Sequence, residues 1–287
     1  AHDSLPSLAP RPKDTTWDAA STMCGRMFQQ GLEEAVQEYD DRQLLNTRQR
    51  ARELALYFGI NEAQAYAVLS QGFHTAHAMV ARDFNESAGG GAQGRRPQTE
   101  AELLEWYRQT NMYCWELSAY HDPASGFNYA GMCNGIAEHV LRDRGEKAKV
   151  LALGDGIGDL TMTLARHSLD PYYHDLAPST TAAFAGFRFR MYGFFPHMLL
   201  NQGWSPSGIA HYMKFDAMVA LDFFEHMPNV EDWVHTCVAA LAPGGLFFAQ
   251  NAFGIGSPDR EDSIPMHLAS NTHWEKDWDP LLAEAGL

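Results

Sequence analysis

The chain is poor in positive charge: 21 lysines and arginines stand against 36 aspartates and glutamates, a net charge of −15 over 287 residues. An acidic balance of that size opposes binding a phosphate backbone, so nucleic acid is an unlikely partner class. Arg95-Arg96 and Arg142-Asp143-Arg144 are the only dense basic patches, and both are short enough to read as solvated surface. Cysteine is equally sparse. Cys24, Cys114, Cys133 and Cys237 form no C-x-x-C pair and no framework spacing, which excludes a disulfide scaffold and leads us to expect reduced thiols in a cytoplasmic setting. No run of roughly 18 apolar residues occurs and no signal-peptide core opens the chain, so no membrane association is expected. What is plentiful is core material: 45% of the residues are hydrophobic and 12% aromatic, enough for a large globular fold.

The sequence is organised around Val150-Leu151-Ala152-Leu153-Gly154-Asp155-Gly156-Ile157-Gly158-Asp159. Apolar residues give a buried strand, the glycines break it, and Leu160 and Leu164 restart the chain as a helix lying on a sheet. Such a turn offers free N–H groups and lets a ligand approach the backbone closely, as nucleotide sites in open α/β sheets require. A dinucleotide fingerprint needs glycine where Asp159 stands, and a carboxylate there would meet a pyrophosphate with the wrong charge. No lysine follows the glycines, so a P-loop is excluded as well.

Three further stretches follow in order. Pro171-Tyr172-Tyr173-His174-Asp175-Leu176 reads as a second strand ending in an acid able to accept ribose hydroxyls; a helix N-cap is the rival role for Asp175. Phe215 to Leu221 is a strand leading into Asp222-Phe223-Phe224-Glu225-His226-Met227. Leu241-Ala242-Pro243-Gly244-Gly245-Leu246 reads as a helix end and a turn into another strand. With the G-x-G-x-G turn, these motifs over about residues 148–253 resemble the class I (Rossmann-like) methyltransferases that use S-adenosylmethionine (SAM). The resemblance implies SAM as cofactor and S-adenosyl-L-homocysteine as product. It implies that Gly154, Asp155, Gly156, Gly158, Asp175, Leu176, Asp222 and Phe223 contact the cofactor. One departure stands out: the family usually carries an acid two residues before the first glycine, where this chain has Ala152, and Asp155 is the candidate to replace that charge. The family's last helix, matched by Asp279 to Leu287, normally leads into two closing strands. Either the sequence is C-terminally truncated or the sheet is smaller.

The expected fold is therefore α/β, a mainly parallel sheet flanked by helices over residues 146–287, preceded by an all-helical cap over 17–145 and an extended, proline-bearing arm over 1–16. Within the cap we expect helices from Trp17 to about Tyr39 and from Arg48 to Phe58, with Gly59 ending the second. Asn61 should cap one helix carrying Tyr66, Leu69, Phe73, Ala76, Val80 and Phe84. Residues 85–98, rich in glycine, read as a linker, and the capping box Thr99/Glu102 should start a helix toward Tyr120. Strands are expected at 149–153, 171–175, Phe194–Leu200, 215–221 and 245–252, and helices at 160–167, 179–191 and 230–241.

Methyl transfer from a sulfonium is an in-line displacement, so alignment is the main task and an O–H or N–H acceptor must also lose a proton. His226, past the fourth strand, is the candidate general base; a purely positional Glu-His pair is the alternative. Tyr129 is the candidate for the substrate pocket among the aromatics of the cap, where core packing is the rival reading. His74 and His77 are spaced as helix-borne metal ligands but lack a matching carboxylate or cysteine motif, so no metal site is expected. Leu221-Asp222-Phe223-Phe224 is not the Asn/Asp-Pro-Pro-Tyr arrangement used on exocyclic or amide nitrogens. The expected acceptor is a neutral or cationic small molecule. Alternatives are a protein or nucleic-acid acceptor, or a non-catalytic module of the same fold. A homodimer would form through the helical N-terminal part.

Overall fold

The computed structural model describes residues 46–87, 99–203, 205, 206, 209, 213–253 and 267–287. The expected arm, the helix from Trp17 to about Tyr39 and residues 88–98 of the expected linker lie outside the described residues.

Helix α1 (Thr47–Phe58) begins where the Asn46 side chain accepts the Gln49 N–H and ends at Gly59, in left-handed conformation (φ 67°). Asn61 caps α2 (Glu62–Leu69) as expected. The single helix foreseen from Asn61 to Phe84 is instead two, because Gly72 turns left-handed (φ 84°) and α3 (Phe73–Ser87) starts afresh after it. Asn85 to Ser87 belong to that helix, not to a linker. The Thr99/Glu102 capping box forms and starts α4 (Glu100–Gln109). The helix foreseen up to Tyr120 also divides: Thr110 is extended (φ −66°, ψ 139°), and α5 (Met112–Tyr120) follows. Helix α6 (Tyr129–Arg144), capped by Asn128, leads to the sheet.

Among the described residues the sheet has five parallel strands in the order β3-β2-β1-β4-β5, from β1 (Lys149–Leu153), β2 (Asp170–Leu176), β3 (His197–Asn201), β4 (Phe215–Leu221) and β5 (Leu241–Gln250). Helices α7 (Asp159–Arg166), α8 (Thr180–Met191) and α9 (Val230–Ala240) connect them, and α10 (Trp274–Ala285) follows β5. β1 is apolar from Val150 to Leu153 because both its faces are covered. Its alternation divides the core: Val150 and Ala152 pack with Ile136, Val140, Leu160 and Leu164 of α6 and α7, while Leu151 and Leu153 pack with Trp233, Val234 and Leu281 of α9 and α10. The Pro243-Gly244-Gly245 segment, foreseen as a turn, lies inside β5. Phe215 pairs with Leu241 but Ala217 with Leu246, so the extra residues are thrown out as a bulge at Gly244 (φ 67°).

The helices preceding the sheet share a core with it. Ala51, Leu54, Leu69, Met79 and Trp115 pack against Phe184, Phe187 and Met191 of α8 and Ile157 of the glycine turn. Beneath this contact lies a buried ion network. Arg50 bonds Glu53 (3.1 Å) and Asp159 (2.6 Å), and Arg188 bonds the same two carboxylates (2.8 Å each) and the Ile157 carbonyl. His121 Nδ1 meets the other Asp159 oxygen at 2.7 Å. Burial opposes ionisation of Asp159, but the Arg188 and Arg50 guanidiniums outweigh it and hold the carboxyl below the usual range. The acid that argued against a pyrophosphate thus has a structural task, tying α1 and α8 to the back of the glycine turn.

Candidate active site

β1 ends against a turn whose glycines all have positive φ. Gly154 donates its N–H to the His174 carbonyl (2.8 Å), which sets the turn in register with β2. At Gly156 (φ 53°) an added Cβ would stand 2.5 Å from Leu117 Cδ1, and at Gly158 (φ 85°) 2.5 Å from the Phe189 ring. Gly158 therefore resists a side chain by the packed ring as well as by backbone conformation, and Gly156 by backbone conformation, since the Leu117 methyl can shift. Gly154 and Gly156 face a cavity of about 830 Å³ at the carboxyl ends of β1, β2 and β4. Gly158 does not line it; its bare backbone admits Phe189, so its observed task is helix packing rather than ligand contact.

The other residues expected around the cofactor come together at this cavity: Asp155, Asp175, Leu176, Asp222 and Phe223 all line it. So do the candidate base His226 and the candidate pocket residue Tyr129. Asp175, half-buried on the wall, accepts the Gly156 N–H (2.7 Å) and the Leu176 N–H (2.6 Å). Its rival role as a helix N-cap is taken by Ser179, which accepts the Ala182 N–H at the start of α8. Burial pushes the Asp175 carboxyl up to about 6, against the pull of those two N–H groups.

Asp155 lines the cavity and also holds the helix that follows the turn. Its carboxylate accepts the Leu160 N–H (3.1 Å) and the Thr161 N–H (2.7 Å), so it caps the N-terminus of α7. Burial pushes it up to about 7.

Asp222, beyond β4, is a non-glycine residue at φ 51°, a strained geometry of the kind found at functional sites. Its N–H donates to the Gln250 carbonyl (2.9 Å), and its carboxylate accepts the Tyr120 hydroxyl (3.1 Å). Burial raises it to about 6. Phe223 covers Gly154 and meets Trp233 edge to face. His226, in a single 3₁₀ turn (Phe224–His226), hydrogen-bonds through Nδ1 to the Tyr107 hydroxyl (2.8 Å). Tyr129 stacks on His121 with ring centroids 3.5 Å apart.

No protein-family model matches this chain, and no curated protein sequence matches it. Solved structures do. One is a SAM-dependent methyltransferase from Clostridium acetobutylicum: 19% identity, 47% of this chain against 56% of that one, TM-score 0.40. A second is CalS10 with SAM bound, an amino pentose methyltransferase of calicheamicin biosynthesis from Micromonospora echinaspora: 23% identity, 42% against 50%, TM-score 0.35. A third is a putative O-methyltransferase from Nostoc punctiforme: 15% identity, 97% against 94%, TM-score 0.48. SAM-dependent methyltransferases are what this chain is similar to. This chain spans about half the length of the first two. Likeness of this size assigns no activity, so the reading of the site rests on its own geometry.

The remaining wall comes from the helices before the sheet, and most of it was not legible in the sequence. Phe73, Tyr107, Tyr113, Tyr120 and Phe127 form an aromatic face of the cavity. His77 is paired with Glu116, whose hydrogen bond raises the imidazole despite burial. His174 of β2 lines the cavity with both ring nitrogens buried and lacking a hydrogen-bond partner, and burial lowers it to about 4. Only the aromatic content of 99–129 hinted at this wall, and composition does not say which rings face inward.

Proposed function

We propose that this chain is a SAM-dependent methyltransferase acting on a small-molecule acceptor. One observation carries the reading: a backbone turn stripped of side chains at Gly154 and Gly156 opens into a cavity beside a carboxylate, Asp175, at the tip of the adjacent parallel strand. That arrangement fits an adenosyl ligand, with the bare backbone admitting close approach and Asp175 accepting ribose hydroxyls. Bound there, SAM supplies a methyl group on a sulfonium for in-line displacement. Leu176, Asp222 and Phe223 complete the cofactor's walls. His226, carried past β4 and oriented by Tyr107, acts on the acceptor's nucleophile. The aromatic face favours a small molecule over a polymer end, and the net charge of −15 agrees. Tyr129 belongs to that face through its stack on His121. The proposal includes a cytoplasmic setting, in keeping with Cys114, Cys133 and Cys237 as buried free thiols, and a homodimer through the helical N-terminal part, to be read by sedimentation equilibrium. Among the described residues no helix is long and apolar enough to cross a membrane.

Isothermal titration with SAM and S-adenosyl-L-homocysteine tests the core of this. Binding at one site per chain is expected; no heat from either ligand sinks the proposal. A His226→Ala variant should keep that binding and lose turnover by orders of magnitude in a labelled-methyl assay.

A further inference from the structure

A second constellation lies at the edge of the same cavity. Glu225, His226 and His267 each bring one potential ligand atom to a common point, all within 4.8 Å of one another. Their surroundings are those of a held site rather than a chance encounter. Glu225 is fully buried; one of its oxygens accepts the Ala252 N–H (2.8 Å), while Oε2 is buried with no hydrogen-bond partner. A buried carboxylate oxygen left in that state is costly and marks a place where a cation is wanted. His267 Nδ1 lies 3.1 Å from the Ala252 carbonyl. A carbonyl only accepts, so Nδ1 carries the proton and Nε2 keeps its lone pair, the tautomer a metal needs. The Tyr107 hydroxyl, 2.8 Å from Nδ1, holds the orientation of the His226 ring.

The two chain segments are fastened together. The Asn271 side-chain amide donates to the carbonyls of Phe224 (3.2 Å), Glu225 (3.2 Å) and Met227 (2.8 Å), and the Leu268 N–H donates to the Glu225 carbonyl (3.0 Å). Outer hydrogen bonds of this kind fix the ligands of metal sites. Two imidazoles and a carboxylate suit zinc and its first-row neighbours, whereas magnesium and calcium prefer oxygen throughout. Both histidines line the cavity. Three protein ligands with one face open to a cavity is the arrangement of catalytic rather than structural zinc.

We propose that Glu225, His226 and His267 bind one divalent first-row metal ion whose open position faces the cavity and takes the hydroxyl of the methyl acceptor. The second half of this rests on the methyltransferase reading; the first half does not. Coordination lowers the pKa of the hydroxyl, whose proton passes to water. The resulting oxyanion forms the new O–C bond as the S–C bond of the sulfonium breaks, and that electron pair stays on sulfur as a neutral thioether. On this account His226 acts as a ligand, and the acceptor class is an alcohol or phenol.

The test uses the full chain freed of metal by dialysis. Titration with zinc chloride should give one site per chain, with affinity at least 100-fold weaker in Glu225→Gln and in His267→Ala. Asn271→Ala, which touches no ligand atom, should weaken it less. Cobalt(II) should give visible absorption of low-symmetry nitrogen–oxygen ligation in the wild type and lose it in His267→Gln. Acetohydroxamate, a small oxygen chelator, should shift that spectrum by entering the open position. Absence of a stoichiometric site, or zinc binding indifferent to both variants, overturns the metal site. A spectrum unmoved by acetohydroxamate overturns its role toward the acceptor. SAM titrations on the same samples separate the two readings. SAM binding without metal removes only this inference; metal without SAM binding keeps the site and removes methyl transfer.

Discussion

Asp175→Asn separates the ligand-binding duty of that carboxylate from its effect on the fold. In the folded protein burial holds the group at about 6, against an ordinary value of 3.8. Protons therefore bind the folded state more tightly, and stability falls as pH rises from about 4 to 6. Keeping the ion at neutral pH costs roughly 2 kcal/mol once its partial exposure is allowed for. Asparagine removes that cost but offers one acceptor oxygen to two N–H groups, from Gly156 and Leu176. Leaving one of them facing an amide NH₂ costs about 1–3 kcal/mol. The two effects nearly cancel, so the urea midpoint should move little. Cofactor uptake should change far more. Two charge-assisted hydrogen bonds to ribose hydroxyls become one neutral one, a loss of about 3 kcal/mol or roughly 100-fold in Kd. Urea unfolding beside calorimetry with S-adenosyl-L-homocysteine reads both quantities. An asparagine variant that binds like the wild type, at unaltered stability, would refute the reasoning at its root.

The same carboxylate predicts the pH profile of wild-type binding: affinity for SAM should drop about tenfold for each pH unit below about 6 and level off above it, and the slope should flatten in Asp175→Asn, with Asp222, also raised to about 6, supplying what remains. Gly158→Ala should lower stability by a few kcal/mol, through the Phe189 clash and a φ of 85°, while the folded fraction keeps its cofactor affinity; a selective loss of binding would contradict its placement outside the cavity. Arg188→Met leaves Glu53 and Asp159 with Arg50 as their one guanidinium partner and should cost about 3–5 kcal/mol in chemical denaturation, partly recovered by adding Glu53→Gln; additive single effects would count against a coupled network.

The sequence marked the α/β half well because its signals are local. Apolar runs bounded by glycine or an acid place β1, β2 and β4 with ends shifted by a residue at most, and caps at Asn61 and Thr99 are chemical facts of short range. It was less informative where backbone geometry depends on neighbours. Gly72 and Thr110 break helices that periodicity alone would continue, and the Pro-Gly-Gly segment becomes a bulge because β4 pairs on either side of it. The β1 turn also announced Gly154, Gly156 and Asp175, since free N–H groups and a nearby carboxylate belong to one strand–turn–helix unit.

What residue types and spacing determined by themselves was therefore the sheet, the turn and the residues at the strand ends that line the cavity. Tertiary structure alone decided the uses of individual charges. Asp155, on the cavity wall, also holds the α7 N-terminus, and Asp159 is held by two arginines behind the turn. Tertiary structure also brought His267, which no motif in the sequence singles out, beside Glu225 and His226. Charge pairing and ligand clustering act through space over a few ångströms, and the chain order does not encode those distances.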